Sequence, residues 1–482
     1  MIVLNNSEIE EATKGTWINK IDELDIKRVI FSSTKIQNSD FYFPYNQEKF
    51  LEDSEENINL INRVFKKGAI AIALPKNSKI KIDKPTLLVD HLRDSFRDLA
   101  LASTNKTQAT KILVTGSYGK TGFKNQLYTL INEFKNTFTF LDSANKSLPI
   151  YKTLSSIPSD CEVAIVEVAA PGYEISKKRA NYVKPDIAVI TNIGPEHLRQ
   201  HGGSIENVIE NKSRVAYGLK DNGLIIIPNQ KEYNTKEKMT KYIHEINPTL
   251  EILSFGEDSD NNAYILEKNF LDVGWNLKIK INDKEIDFTL PFLEEYSVKA
   301  TLPILLVCDY LDLDLKQIVT KYKNYTHFAS SGNFYKVTSY EKTFYLYDQS
   351  IRGILDGFKE TLKVISQMKP QKKGKKIALF SEFINFDESS VDVVNLDEFK
   401  LLFKNSGLKS LFTINKFCEH INVLHDKSIW KEHRFSINDI MDKVIADIED
   451  DDMLFIRATQ ESKADTLVKN ILDNASSVEQ YY

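Results

Sequence analysis

The residues whose spacing carries most chemistry are Gly116, Ser117, Gly119, Lys120 and Thr121, in the run Thr115-Gly116-Ser117-Tyr118-Gly119-Lys120-Thr121. Glycines let backbone N–H groups approach phosphate oxygens. A lysine beside them can bridge β- and γ-phosphates, and a threonine after it can offer its hydroxyl to magnesium. Such a loop needs a strand before it and a helix behind it. Ile112-Leu113-Val114 is a short buried strand, and from Thr121 onward Leu127, Leu130, Ile131 and Phe134 recur at helical spacing. The helix N-terminus adds a dipole that favours an anion. The loop is shorter than the common GxxxxGK[ST] form, so a plain glycine turn with a surface lysine is the competing reading.

A second group of residues could face that loop. Glu167 ends the apolar strand Val163-Ala164-Ile165-Val166, and Asn192 and His197 follow the strand Ile187-Ala188-Val189-Ile190. Lys212 lies on a helical stretch beyond. Ligands of open α/β sheets collect at the carboxyl ends of strands. Taken singly, Glu167 could as well cap a helix, His197 could be structural, and Lys212 could be a surface lysine. Taken with the loop, a carboxylate, an imidazole and a lysine point to an enzyme that uses ATP through magnesium-bound phosphoryl transfer.

The elements that must position these groups read as α/β throughout. All-apolar strands separated by helices, with Leu224-Ile225-Ile226-Ile227 a further one, predict a parallel sheet covered on both faces for residues 108–330. Residues 1–107 read as a small N-terminal α/β domain with strands at Arg28–Phe31 and Ala69–Leu74, a helix over Glu55–Lys67, and a linker at Ser103–Thr107. Residues 331–482 read as a second, Rossmann-like α/β domain with strands at Phe344–Tyr347, Lys376–Phe380 and Leu454–Ile456. The acidic run Glu449–Asp452 reads as a solvated turn.

The chain of 482 residues is 42% hydrophobic and 27% charged, with a net charge of −5. These values suit a soluble globular protein of about three domains. No basic patch interleaved with aromatics suggests nucleic acid. Cys161, Cys308 and Cys418 are widely separated, which favours buried small side chains over disulfides or a zinc site. No signal peptide or bilayer-length apolar run is visible, so a cytoplasmic location without a membrane partner is expected.

Three longer stretches carry a resemblance. They are Val166-Glu167-Val168-Ala169-Ala170-Pro171-Gly172-Tyr173-Glu174-Ile175, then Lys184–Leu198 with Thr191-Asn192-Ile193-Gly194-Pro195-Glu196-His197, then His201–Glu206 with Asn211-Lys212. Together with the short phosphate loop, they resemble the central domain of the Mur ligases. The resemblance implies a three-domain, ATP-dependent ligase that phosphorylates a carboxylate and lets an amine attack the acyl phosphate. It implies that Lys120 stabilises the transferred phosphoryl, that Thr121 and Glu167 hold one Mg2+, and that His197 helps hold a second. It makes Lys212 the lysine that is carbamylated in many members. It places Asn192 in the same cleft and makes Asp348 the ribose contact.

Other positions depart from the family. The N-terminal Asp-Ser-Arg motif is replaced by Phe31-Ser32-Ser33-Thr34-Lys35, the His-Asn-x-x-Asn box by Tyr296-Ser297-Val298-Lys299-Ala300, and the Lys-Gly-Ser by Arg457-Ala458-Thr459. The Gly-Arg that opens the C-terminal domain is Gly332-Asn333, and Arg352 offers a substitute charge at the phosphates. These changes favour amide ligation of a small carboxylate to an amine or amino acid in cell-surface, capsule or natural-product synthesis. The alternatives are a divergent ligase for UDP-muramoyl tripeptide and D-alanyl-D-alanine, and a non-catalytic nucleotide-binding scaffold.

Overall fold

The computed structural model describes all residues except 20–22, 143–144, 196–197, 326–329, 331, 352, 354, 383–395, 416–427 and 482. His197, Arg352 and Cys418 therefore lie outside the described residues. Two compact units form, one of Met1–Tyr264 with Leu302–Ile318, the other of Ile265–Thr301 with Val319–Tyr482. The fold is mixed α/β, built on three sheets.

In the first unit, β1 (Thr16–Ile18), β2 (Arg28–Ile30), β3 (Asp40–Tyr42), β4 (Ala69–Pro75) and β5 (Thr86–Val89) form a sheet in the order β1-β5-β4-β3-β2. The expected helix runs Glu55–Lys66. A second sheet follows, made of β6 (Thr110–Thr115), β7 (Thr137–Phe138), β8 (Val163–Glu167), β9 (Ile187–Ile190), β10 (Leu224–Pro228) and β11 (Glu251–Gly256). Its order is β11-β10-β9-β6-β8-β7, and every one of these pairings is parallel. The strands β8, β9 and β10 are buried along their whole length, as strands covered on both faces must be. β11 also pairs, in parallel, with the start of β12 (Ala263–Phe270).

The polar stretch Ser103–Thr107 is not a linker. It is the last turn and cap of the helix Leu92–Lys106. Ser103 and Thr104 are buried, and the Thr104 hydroxyl donates to the carbonyls of Ala100 and Tyr182 at 3.0 and 3.1 Å. Polar composition concealed a packed helix end because both side chains are buried and the Thr104 hydroxyl finds two carbonyl acceptors. Across residue 107 the chain stays knit together. Ile2 bridges Pro158, the Val29 N–H donates to Ser156 Oγ at 2.8 Å, and one hydrophobic cluster runs from Ile9 and Phe41 to Val166 and Ile190.

In the second unit, β13 (Trp275–Ile281) and β14 (Lys284–Leu290) form an antiparallel hairpin. The third sheet comprises β15 (Asn333–Ser339), β16 (Lys342–Gln349), β17 (Lys376–Phe380), β18 (Ser410–Ile414), β19 (Trp430–Arg434), β20 (Met453–Arg457) and β21 (Ala475–Gln480), in the order β19-β18-β17-β20-β16-β15-β21. The acidic turn before β20 is only half solvated. Asp452 is buried, and its carboxylate accepts the N–H groups of Lys375 and Glu449 at 2.7 and 2.8 Å. Cys161 and Cys308 are buried free thiols. Among the described residues no helix is long and apolar enough to cross a membrane.

Candidate active site

Parallel register decides which residues meet. Val114 lies opposite Glu167 on β8, and Thr115 lies opposite Ile190 on β9. The loop leaving β6 is thus flanked by Glu167 on one side and Thr191-Asn192 on the other. This is the switch point of the sheet, where connections run to opposite sides of β6 and a crevice opens at the strand ends. Close approach explains Gly116, since a Cβ there would sit 2.0 Å from Thr191 Oγ1. Gly119 has φ +73° as it caps the helix Lys120–Ile131, a left-handed conformation that glycine adopts without steric cost.

The loop backbone is arranged to serve an acceptor. The N–H groups of Ser117 and Tyr118 both donate to Asn192 Oδ1, at 3.1 and 3.0 Å. Asn192 Nδ2 returns a bond to the Tyr118 carbonyl at 3.0 Å. The first helical turn after Gly119 adds N–H groups that have no intrahelical acceptor. Lys120 Nζ folds onto the carbonyls of Gly116 and Ser117 at 2.9 and 3.0 Å. Lys212, on the helix Ile205–Ser213, is buried rather than superficial and donates to the Gly116 carbonyl at 3.0 Å. Two ammonium groups therefore meet on one phosphate-type loop.

On the other flank, Thr121 Oγ1 lies 3.1 and 2.9 Å from the two oxygens of Glu167. Glu167 also accepts from Asn145 Nδ2 at 3.0 Å and pairs with Lys124 Nζ at 3.3 Å. Both ions of that pair are buried; desolvation lowers the Lys124 pKa while Glu167 opposes the shift. A hydroxyl and a carboxylate held edge to edge are hard oxygen donors of the kind Mg2+ accepts, with phosphates and water completing the shell. Among the described residues no group of three His, Cys, Asp or Glu could hold a metal without such help. The residues present fit a metal that arrives with nucleotide phosphates.

The structure thus brings together Gly116, Ser117, Gly119, Lys120, Thr121, Glu167, Asn192 and Lys212. Asp348 belongs to the second unit. Its carboxylate is buried, accepts the Ser350 N–H at 3.0 Å, and is raised in pKa chiefly by desolvation. Sequence reasoning missed several supporting groups. Lys124 and Asn145 hold Glu167. Gln230 braces the Asn192 loop, accepting the Ile193 N–H at 2.7 Å and donating to its carbonyl at 2.9 Å. Buried His201 shares a 3.0 Å hydrogen bond with Asn211, beside Lys212. The spacing of Lys124, one helical turn beyond Lys120, was the one available signal.

A parallel sheet with a glycine loop, lysine and Thr–carboxylate pair at its switch point is an arrangement suited to nucleotide phosphates. Residues 114–307 match the Mur ligase middle domain. The chain is 27% identical over 301 residues to the UDP-N-acetylmuramoyl-tripeptide–D-alanyl-D-alanine ligase of Rickettsia prowazekii, covering 62% of this chain and 65% of that one. The chain thus spans just under two thirds of that relative's length. In fold it is similar to MurF from Acinetobacter baumannii, with a TM-score of 0.76, 17% identity and coverage of 98% of this chain and 100% of that one. It is also similar to the MurF ligase from Thermotoga maritima in complex with ADP, with a TM-score of 0.71, 16% identity and coverage of 94% and 99%. The chain thus carries a match to the Mur ligase middle domain over residues 114–307 and shares its fold with these MurF structures.

Proposed function

We propose that this protein is an ATP-dependent carboxylate–amine ligase. The observation that carries the reading is the Thr121–Glu167 pair set beside a loop on which Lys120 and Lys212 converge. The N–H groups of the first helical turn after Gly119, together with Lys120, bind and orient the β- and γ-phosphates. Thr121 and Glu167 would hold Mg2+, which when bound would neutralise charge at those phosphates. A substrate carboxylate oxygen attacks the γ-phosphorus, the bond to the β-phosphate oxygen breaks, and ADP leaves. The amine then attacks the acyl carbon, phosphate departs, and the amine proton is released to water. Lys120 offsets charge as the phosphoryl group moves. Carbamylation of Lys212 would turn an ammonium into an oxygen donor next to the same loop.

For substrates we assign UDP-muramoyl tripeptide and D-alanyl-D-alanine. This pair stood second in the reading of the sequence. The name of the Rickettsia relative and the whole-chain likeness to MurF folds support it better than a capsule or natural-product acid. A different acyl donor remains the second reading, favoured by the segment that replaces the Asp-Ser-Arg motif. There Lys67 donates to the carbonyls of Ser33 and Thr34 at 3.1 and 3.3 Å, and Lys35 pairs with Asp142 at 2.6 Å.

The test is ADP release with Mg-ATP across a panel of acids and amines that includes the muramoyl pair, with Lys120→Ala as control. Stimulation by the muramoyl pair is expected. Stimulation only by another pair would establish the second reading. Equal ADP release by the lysine variant would overturn the mechanism.

A further inference from the structure

Lys124 is a buried cation that the proposed reaction does not use. It lies one turn beyond Lys120 on the helix that opens at the phosphate loop, and its side chain is 1% exposed. An ammonium has three donors and no acceptor. Here the three go to the Phe140 carbonyl at 2.6 Å, the Asp142 carbonyl at 2.7 Å and Glu167 at 3.3 Å. The same residue therefore fastens the carboxylate at the end of β8 to the segment that follows β7.

That segment is held from outside as well. The Asp142 carboxylate pairs with Lys35 at 2.6 Å and Lys152 at 3.1 Å, and Lys152 lies 3.8 Å from the centre of the Phe140 ring. An unbroken series of contacts runs from Lys35 through Asp142 and Lys124 to Glu167 and Thr121. A carboxylate at a strand end has free rotamers. With Lys124 and Asn145 on it, the Glu167 oxygens are turned onto the Thr121 hydroxyl.

We propose that Lys124 is a positioning residue for the metal site: it fixes the Glu167 carboxylate against Thr121 and ties its orientation to the 140–142 segment. The inference rests on Glu167 being a metal ligand, as proposed above. A merely structural ion pair would behave differently, because buried pairs can often be replaced by apolar side chains without loss of stability.

The experiment is a double-mutant cycle with Lys124→Met and Glu167→Gln, read by electron paramagnetic resonance as Mn2+ affinity in the presence of ADP, with thermal melting as the check on folding. Lys124→Gln, which keeps N–H donors without the charge, provides a second variant if the methionine form does not fold. The Lys124 variant is expected to weaken Mn2+ binding at least tenfold, about 1.4 kcal/mol. It should weaken it no further in the Glu167→Gln background, because the two residues act through one carboxylate. The KM for Mg2+ should rise more than kcat falls. Affinity within twofold of wild type in a folded variant would overturn the inference. So would an equal loss in both backgrounds, which would mark a general effect on the fold. If Glu167→Gln itself left Mn2+ affinity unchanged, the assignment of Glu167 as a ligand would fail first, and this inference with it.

Discussion

Gly116→Ala tests the steric account of the phosphate loop most directly. The added methyl would lie 2.0 Å from Thr191 Oγ1, 3.2 Å from Thr191 Cβ and 3.3 Å from the Asn192 nitrogen. Reaching ordinary contact at 3.4 Å requires the loop or the Thr191 side chain to move by about 1.4 Å. The loop cannot yield freely, because Ser117 and Tyr118 are pinned to Asn192. A misplacement of about 1 Å in a positioning group costs about 100-fold in rate, or about 2.7 kcal/mol. ADP release under saturating substrates should fall by that order, while the melting temperature should change little, since the strain falls on the loop beyond the end of β6 rather than on the paired strands. Thr191→Ala removes the closest atom. It also loses a hydrogen bond from Thr191 Oγ1 to the Tyr118 carbonyl at 3.1 Å, which by itself is worth about 1 kcal/mol. The double variant should therefore be at least tenfold more active than Gly116→Ala. Recovery should stop short of wild type, because φ at Gly116 is +158°, at the edge of the range that side chains avoid. A double variant no better than the single one would refute the clash as the cause. Wild-type nucleotide affinity and turnover in Gly116→Ala would refute the role of the loop.

Further outcomes follow from individual contacts. Lys120→Ala should abolish turnover with the fold intact by circular dichroism, since Lys120 donates to loop carbonyls rather than to the strands of the sheet. Lys212→Ala should lose at least about 100-fold in turnover and be partly restored by a short-chain carboxylic acid; no restoration would leave Lys212 acting as an ammonium. Asp348→Asn keeps the acceptor for the Ser350 N–H but removes a carboxylate whose pKa burial raises above the ordinary 3.8. A folded-state pKa above the unfolded value means the native carboxyl holds its proton longer, so wild-type stability falls as pH rises through that window. The variant should therefore melt above wild type at neutral pH. The difference should shrink as pH drops toward 4, and a difference independent of pH would refute it. Asn192→Leu removes the shared acceptor of two loop N–H groups and should weaken ADP binding about tenfold or more.

Much of the fold was legible because local pattern sufficed. Runs such as Ile187–Ile190 and Lys376–Phe380 are strands with the bounds their apolar residues set, and the loop context of strand, glycines and helix is written within about a dozen residues. The polar run Ser103–Thr107 and the acidic run Glu449–Asp452 misled for a common reason. Composition reports how polar a side chain is, whereas burial depends on whether a partner waits for it. Thr104 finds the Tyr182 carbonyl, and Asp452 finds two N–H groups. The Tyr182 carbonyl and the Lys375 N–H lie 78 and 77 residues away in sequence.

Local pattern was enough to place a glycine–lysine loop after a buried strand, to set Glu167 and Asn192 at strand ends, and to make the chain α/β. Long-range packing, by contrast, sets Lys212 on the Gly116 carbonyl, Lys124 rather than solvent against Glu167, and Gln230 as a brace on the Asn192 loop. The physical reason is register. Parallel pairing of β6 with β8 and β9 sets which strand ends share a crevice, and those pairings join residues about 50 to 75 apart along the chain, beyond any local periodicity.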